Sequence, residues 1–239
     1  MKVTKPYNTK ASKKQEVTKM FDNIAPNYDF LNHTLSLGMD NYWRKKAIKK
    51  IKNNPKSILD IATGTGDFAI SASKYTNAKI IAIDISEKML EIGVKKVEKK
   101  NLKKRIKFQL ADSEKLPFSN NSFDAITAGF GVRNFENLNK GLSEIYRTLK
   151  KGGIITILEP SEPKHFPLKQ IYQIYFHKIL PIIGGLISKD KEAYDYLPKS
   201  VSNFDPQNQF LKKLKKVGFT KCNHFQLTFG IVSLYTAIK

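Results

Sequence analysis

Cysteine is almost missing from this chain of 239 residues: Cys222 stands alone, which excludes an internal disulfide and a thiolate-rich metal centre. Histidine is scarce as well. His33, His165, His177 and His224 are scattered without ligand spacing, so no metal is expected. No apolar run is long enough to cross a bilayer, and the longest, 179–187, is already broken by Pro and Gly. The opening residues MKVTKPYNTKASKK are basic but have no apolar segment behind them, so a secretory signal is not expected. Low-complexity linkers and internal repeats are also missing. Acidic side chains are outnumbered, with Lys+Arg 42 against Asp+Glu 21 and a formal net charge of +21. A hydrophobic share of 41% nevertheless argues for a packed core rather than disorder. These absences point to a soluble, cytoplasmic protein of one domain, 1–239.

The charge has three readings. Lysines spread along the whole chain, beside many Asn and Ile, read first as a solvated surface. Attraction to the anionic inner face of a membrane comes second, and neutralisation of nucleic-acid phosphates third.

Segments of two periods alternate through the middle of the chain. Residues 57–62 form a short apolar strand, followed by a glycine turn at 63–66 and a helix over 67–75. A second strand spans 79–84, and Ser86 is the N-cap of a helix reaching 99. Strands at 105–110 and 123–130 follow, then a helix over 138–149. Its stop is marked by Lys150, Lys151, Gly152 and Gly153. Residues 154–158 make a fifth strand. Strands alternating with helices predict an α/β fold with a doubly wound, mostly parallel sheet. After a helix at 207–216, two segments around Phe229 and Gly230 (221–228 and 231–238) read as a terminal antiparallel hairpin, completing seven strands. Residues 1–55 read as a mostly polar helical cover, 56–160 as the binding core, 161–205 as a helical lid, and 206–239 as the closing helix and hairpin.

Ligands of open α/β sheets bind at the carboxyl ends of the strands. There the first strand runs into Asp60-Ile-Ala-Thr-Gly64-Thr65-Gly66-Asp67. Glycines let a ligand approach the backbone, and the helix N-terminus that follows favours anionic groups. Asp84 ends the second strand, where a carboxylate accepts from ribose hydroxyls. Asp112 and Ser113 follow the third, where a carboxylate accepts from an adenine amine. Gly64-x-Gly66-x-x-Ala69 also fits a loose dinucleotide fingerprint. Carboxylates on both sides of the turn, Asp60 and Asp67, would repel a pyrophosphate but suit the ammonium of S-adenosyl-L-methionine.

These segments resemble the nucleotide-binding motifs of class I methyltransferases that use S-adenosyl-L-methionine. Three further segments resemble the demethylmenaquinone/ubiquinone C-methyltransferase family. They are Met20-Phe-Asp-Asn-Ile-Ala-Pro-Asn-Tyr-Asp-Phe-Leu-Asn32 with Tyr42-Trp43-Arg44, Gly129-Phe-Gly-Val-Arg-Asn134, and Tyr146-Arg-Thr-Leu-Lys-Lys-Gly-Gly153 with Leu158-Glu-Pro-Ser161. The likeness extends from about residue 15 to 239. Where this family commonly has Met-Asn the chain has Leu31-Asn32, and Lys151 replaces a proline. Asp40 stands where a histidine is frequent, which removes one candidate proton acceptor.

The resemblance implies methyl transfer from S-adenosyl-L-methionine, without a metal, to a ring carbon of a polyprenyl quinol. Demethylmenaquinol leads, and 2-polyprenyl-6-methoxy-benzoquinol is the alternative. Such a carbon becomes nucleophilic once a neighbouring hydroxyl is deprotonated, so the site needs a held cofactor, a proton acceptor or anion stabiliser, and a dry apolar slot. The cofactor residues implied are Gly64, Thr65, Asp84, Asp112 and Ser113. Arg133 and Asn134 are the catalytic candidates, with Tyr28, Asp29 and His33 behind them. Against the catalytic reading of Arg133 stands a salt bridge closing the next helix. Residues 166–187, with apolar side chains at helical spacing among Lys169 and Lys178, read as core packing or as a lid over a polyprenyl groove. An RNA methyltransferase is a more distant reading, since no Asn-Pro-Pro-aromatic motif follows the fourth strand. A nicotinamide oxidoreductase rests on the loose fingerprint alone.

Overall fold

The computed structural model describes residues 4–188 and 190–239. Seven strands form one sheet: β1 (Ser57–Ile61), β2 (Lys79–Asp84), β3 (Ile106–Leu110), β4 (Phe123–Gly129), β5 (Leu149–Pro160), β6 (Thr220–Leu227) and β7 (Val232–Ile238). Their order is β3-β2-β1-β4-β5-β7-β6. Neighbours from β3 to β5 pair in parallel, whereas β7 runs antiparallel to both β5 and β6. The expected hairpin therefore does not add to an edge; its second strand inserts between β5 and the first. A purely parallel dinucleotide-binding sheet has no such strand.

The apolar run of β1 buries both faces because helices cover both sides. On one side, α2 (Met39–Ile48) and α3 (Asp67–Tyr75) pack Trp43, Ala47, Phe68 and Ala72 against Ile58 and Ile80. On the other, α5 (Leu138–Thr148) and α9 (Gln207–Val217) press Leu142, Ile145, Phe210 and Leu214 onto Leu59, Ile126 and Ile155. Each such fully buried aliphatic or aromatic side chain contributes roughly 1.5–3 kcal/mol. The helix α4 (Glu87–Lys99) starts as expected at Ser86, whose hydroxyl accepts from the Met89 N–H at 3.3 Å.

Two expectations need correction. Residues 150–153 do not simply stop a helix: α5 ends at Thr148 and the lysines and glycines already belong to β5, with Leu149 opposite Phe123 and a bulge before Ala125. Gly152 takes φ +75°, which explains the glycine there. The N-terminal cover is also less polar than composition suggests. The long helix α1 (Lys13–Leu35) buries Val17, Met20, Ile24 and Leu31 against α6 (Leu168–Ile174), α7 (Leu180–Ser188) and α8 (Lys191–Ser202). A π-helical turn (Tyr175–Ile179) joins α6 to α7. These helices and α1 roof the carboxyl ends of β1, β4 and β5.

Candidate active site

The loop after β1 turns sharply, with positive φ at Ala62, Gly64 and Gly66. At Gly66 a Cβ would stand 2.6 Å from the Phe108 ring, so only glycine fits. Asp60 anchors this loop from beneath: its two oxygens accept from the Thr63 and Thr127 hydroxyls. Full burial raises its carboxyl pKa to about 6, against the pull of those hydroxyls. The next strand end supplies Asp84, which accepts from the Gly64 N–H at 2.8 Å and the Ser86 N–H at 3.0 Å. Burial pushes its pKa up too.

A cleft opens over these strand ends, lined by Gly64, Asp84, Asp112, Ser113, Gly131 and Asn134, with Lys14, Val17 and Phe21 of α1 above. Asp112 holds the Glu114 N–H at 2.8 Å through one oxygen and Lys14 Nζ at 2.6 Å through the other. Asn134 accepts from the Tyr196 hydroxyl at 3.0 Å, while its buried Nδ2 has no partner among the described residues. A buried amide facing a cleft without an acceptor is a ready donor to a ligand.

Beside the cleft lies a cavity of about 480 Å³, walled by Met20, Ile24, Trp43, Tyr172, Phe176 and Leu180. The two share Phe21, Tyr28, Ala62, Gly129 and Phe130. Burial raises the pKa of the Tyr28 phenol, partly offset by Arg133 and Arg44.

The cavity also takes four residues that the sequence placed elsewhere or passed over. Thr65 faces it rather than the cleft and donates to Asp29, while Lys96 Nζ donates to Thr65 at 3.0 Å. Asp67 faces it too, with one oxygen bound to Lys96, so neither carboxylate beside the glycine turn lines the cleft where an ammonium was expected. Asp40 and Arg44 complete this polar corner, 2.6 Å apart. Arg44 had a signal only in the family-like Tyr42-Trp43-Arg44, and its burial beside two carboxylates depends on the meeting of α2 and α3.

Arg133 and Asn134 lie at the end of β4 in a short 3-10 turn, Val132–Asn134, but face different spaces: Asn134 the cleft, Arg133 the cavity. The Arg133 guanidinium pairs with buried Glu159 at 2.9 Å and also donates to the Phe130 carbonyl and to Ser200. The salt bridge weighed against this residue does exist, although it ties down β5 rather than the following helix. Lys13 donates to the carbonyls of Arg133 and Phe135 at 3.0 and 2.9 Å, and burial next to Arg133 lowers its pKa to about 8. His33 does not line the cavity. It sits behind Asp40, with Nδ1 2.7 Å from that carboxylate.

A model of the ubiE/COQ5 methyltransferase family matches residues 9–239. This chain belongs to that family. A relative from Bacteroides fragilis named demethylmenaquinone methyltransferase is 50% identical over 98% of this chain and 97% of its own length. One from Geotalea daltonii, named ubiquinone/menaquinone biosynthesis C-methyltransferase UbiE, is 48% identical over 95% of this chain and 97% of its own. Among solved structures, a SAM-dependent methyltransferase from Aquifex aeolicus superposes with TM-score 0.61 at 18% identity, covering 84% of this chain and 91% of that one. The [4+2]-cyclase SpnF superposes with TM-score 0.68 at 16% identity, covering 95% and 96%. At such identities the likeness is one of fold. The ubiE/COQ5 family makes the chain a methyltransferase with S-adenosyl-L-methionine as methyl donor. The cleft fits that group: a glycine cradle, two strand-end carboxylates and an amide donor without a partner.

Proposed function

We infer that the chain methylates a ring carbon of demethylmenaquinol, the last step toward menaquinol. One observation carries this reading: a polar cleft and a large apolar cavity meet at Tyr28, Gly129 and Phe130, so a nucleoside and a lipophilic ring can be held in contact. The names of the relatives support the substrate class, and that of the Geotalea protein spans both naphthoquinone and benzoquinone precursors.

In this reading Asp84 accepts from the ribose hydroxyls and Asp112 from the adenine amine, once Lys14 swings off it. Gly64 and Ser113 bring backbone to the cofactor, and Asn134 Nδ2 donates to it. S-adenosyl-L-methionine supplies a methyl on a sulfonium, which attracts an electron-rich carbon. Thr65 acts from the acceptor side. Arg133, permanently charged, stabilises the phenolate that develops in the cavity. Helices α1, α6 and α7 exclude water, which strengthens that attraction.

A lipophilic acceptor needs a route from the membrane. No described helix is long and apolar enough to cross one. We propose peripheral contact with an anionic inner membrane face instead. Leu37, on the cavity wall, is 89% exposed, and Ile171, Ile174, Ile182 and Leu186 are exposed along α6 and α7. Lys169 and Lys178 stand among them and the chain carries +21.

Titration calorimetry with S-adenosylhomocysteine tests the cofactor half. Affinity on the order of micromolar is expected, and loss of binding in Asp84→Ala. A methylation assay offering demethylated naphthoquinol and benzoquinol side by side tests the acceptor. Turnover of neither by a protein that binds S-adenosylhomocysteine would remove the reading.

A further inference from the structure

Arg133 can stabilise a phenolate but cannot take the proton that makes one. A proton acceptor must touch the acceptor cavity, and among the described residues only two carboxylates line it, Asp40 and Asp67. They are not equivalent. Asp40 is committed at short range: Oδ2 to Arg44 at 2.6 Å, with His33 Nδ1 2.7 Å away, and Oδ1 to the Ser36 hydroxyl at 3.0 Å. Burial pushes its pKa up, but Arg44, His33 and Ser36 together hold it below the ordinary aspartate value. Asp67 gives one oxygen to Lys96, while its Oδ2 has only looser neighbours, Arg44 Nη2 and His33 Nε2, each at 3.5 Å. That oxygen remains open toward the cavity.

His33 stands directly behind. Its two ring nitrogens face the two carboxylates, Nδ1 toward Asp40 and Nε2 toward Asp67, and its side chain is 39% exposed. Nδ1 is buried, makes no hydrogen bond to any described residue and lies 2.7 Å from Asp40 Oδ2, so the ring stands between the two carboxylates where it can relay a proton. Arg44 from α2 and Lys96 from α4 balance the two negative charges.

Resting on the quinol reading above, we propose that Asp67 is the catalytic base and that Asp40 and His33 form a proton exit behind it. Asp67 Oδ2 takes the proton of the acceptor hydroxyl, and the phenolate ring carbon bonds to the methyl as the sulfur–carbon bond breaks. The ring carbon then loses its hydrogen as a proton and the ring oxygen regains one, so the reaction releases one proton net. That proton passes from Asp67 to His33 Nε2 and out to solvent. Position 40 itself, where a histidine is frequent in the family, carries Asp40 here, and the imidazole beside it comes from His33 of α1.

The test uses the full-length protein and a short-prenyl demethylated naphthoquinol kept reduced. Asp67→Asn should lower kcat at least about 100-fold with little change in KM or in S-adenosylhomocysteine affinity. His33→Ala should lower kcat about 10-fold, and added imidazole should restore most of it while leaving wild type unchanged, which a purely structural role would not give. Asp67→Asn turning over within about threefold of wild type while binding S-adenosylhomocysteine would overturn the assignment of the base. Imidazole without effect on His33→Ala would overturn the exit. If wild type itself methylates no quinol, the functional reading fails instead.

Discussion

Arg133 joins a structural duty to the catalytic one proposed for it. Its guanidinium is the charged partner of the buried Glu159 carboxylate, which also accepts from the Arg133 N–H at 3.2 Å and whose pKa burial already raises, so removing it leaves a buried acid without a counter-charge. Breaking such a pair costs about 3–5 kcal/mol. Arg133→Ala should therefore lose stability as well as turnover, whereas Arg133→Lys keeps the charge and loses the fork that also reaches Phe130 and Ser200. We expect Arg133→Lys to melt within a few degrees of wild type, bind S-adenosylhomocysteine normally and lose about 10- to 100-fold in kcat. Normal turnover in that variant would remove Arg133 from the reaction. At this scale the sequence was partly legible. Asp84 and Asp112 lie in the cleft because one ends β2 and the other follows the end of β3 by two residues. Thr65 and Asp67 do not, because positive φ at Gly64 and Gly66 rotates the side chains that follow away from it.

Elements meet closely enough that single atoms matter. The side of α4 near the glycine loop carries Gly93, where a Cβ would stand 2.6 Å from the Phe108 ring and 3.2 Å from the Thr65 carbonyl carbon. Gly93→Ala should destabilise by about 1–3 kcal/mol and weaken cofactor binding together, seen as parallel falls in melting temperature and calorimetric affinity. At the opposite end of the sheet, Asp124 accepts from the Lys56 and Ser57 N–H groups, the Ser57 hydroxyl and Lys150, joining β1, β4 and β5. Those bonds outweigh its desolvation and lower its pKa to about 2. A depressed folded-state pKa stabilises at pH values above the unfolded value and ceases to do so as pH falls through the folded one. Asp124→Asn should therefore be less stable at pH 7, by about 1 kcal/mol in so exposed a setting. That deficit should vanish between about pH 4 and pH 2 in thermal melts. The strands and most helix limits were readable from period and caps. The insertion of β7 was not, since a hairpin's pattern is the same at an edge or inside a sheet.

The whole molecule adds a reporter of its own. Trp43, the only tryptophan, lines the apolar cavity with its indole N–H on the Thr228 hydroxyl at 2.7 Å. A quinone entering the cavity should quench its fluorescence in a saturable way, and S-adenosylhomocysteine alone should do so far less. An unsaturable response would separate the cavity from the acceptor. At the same scale, flotation with anionic vesicles should show binding at low salt that weakens as salt rises. Failure to float at low salt would leave the lysines as a solvated surface and the exposed helix faces without a membrane role.

What the sequence determined by itself was whatever depends on neighbours along the chain: the alternation of strand and helix, the glycine turn, and the acids that close the second and third strands. Local sterics and hydrophobic period dictate these wherever the segments end up. Only tertiary structure decided that α1 roofs both the cleft and the cavity, that Arg133 meets Glu159, and that His33, Asp40 and Asp67 converge from three helices. Those contacts join residues far apart in the chain, and they exist because apolar faces with no partner of their own had to be buried against one another.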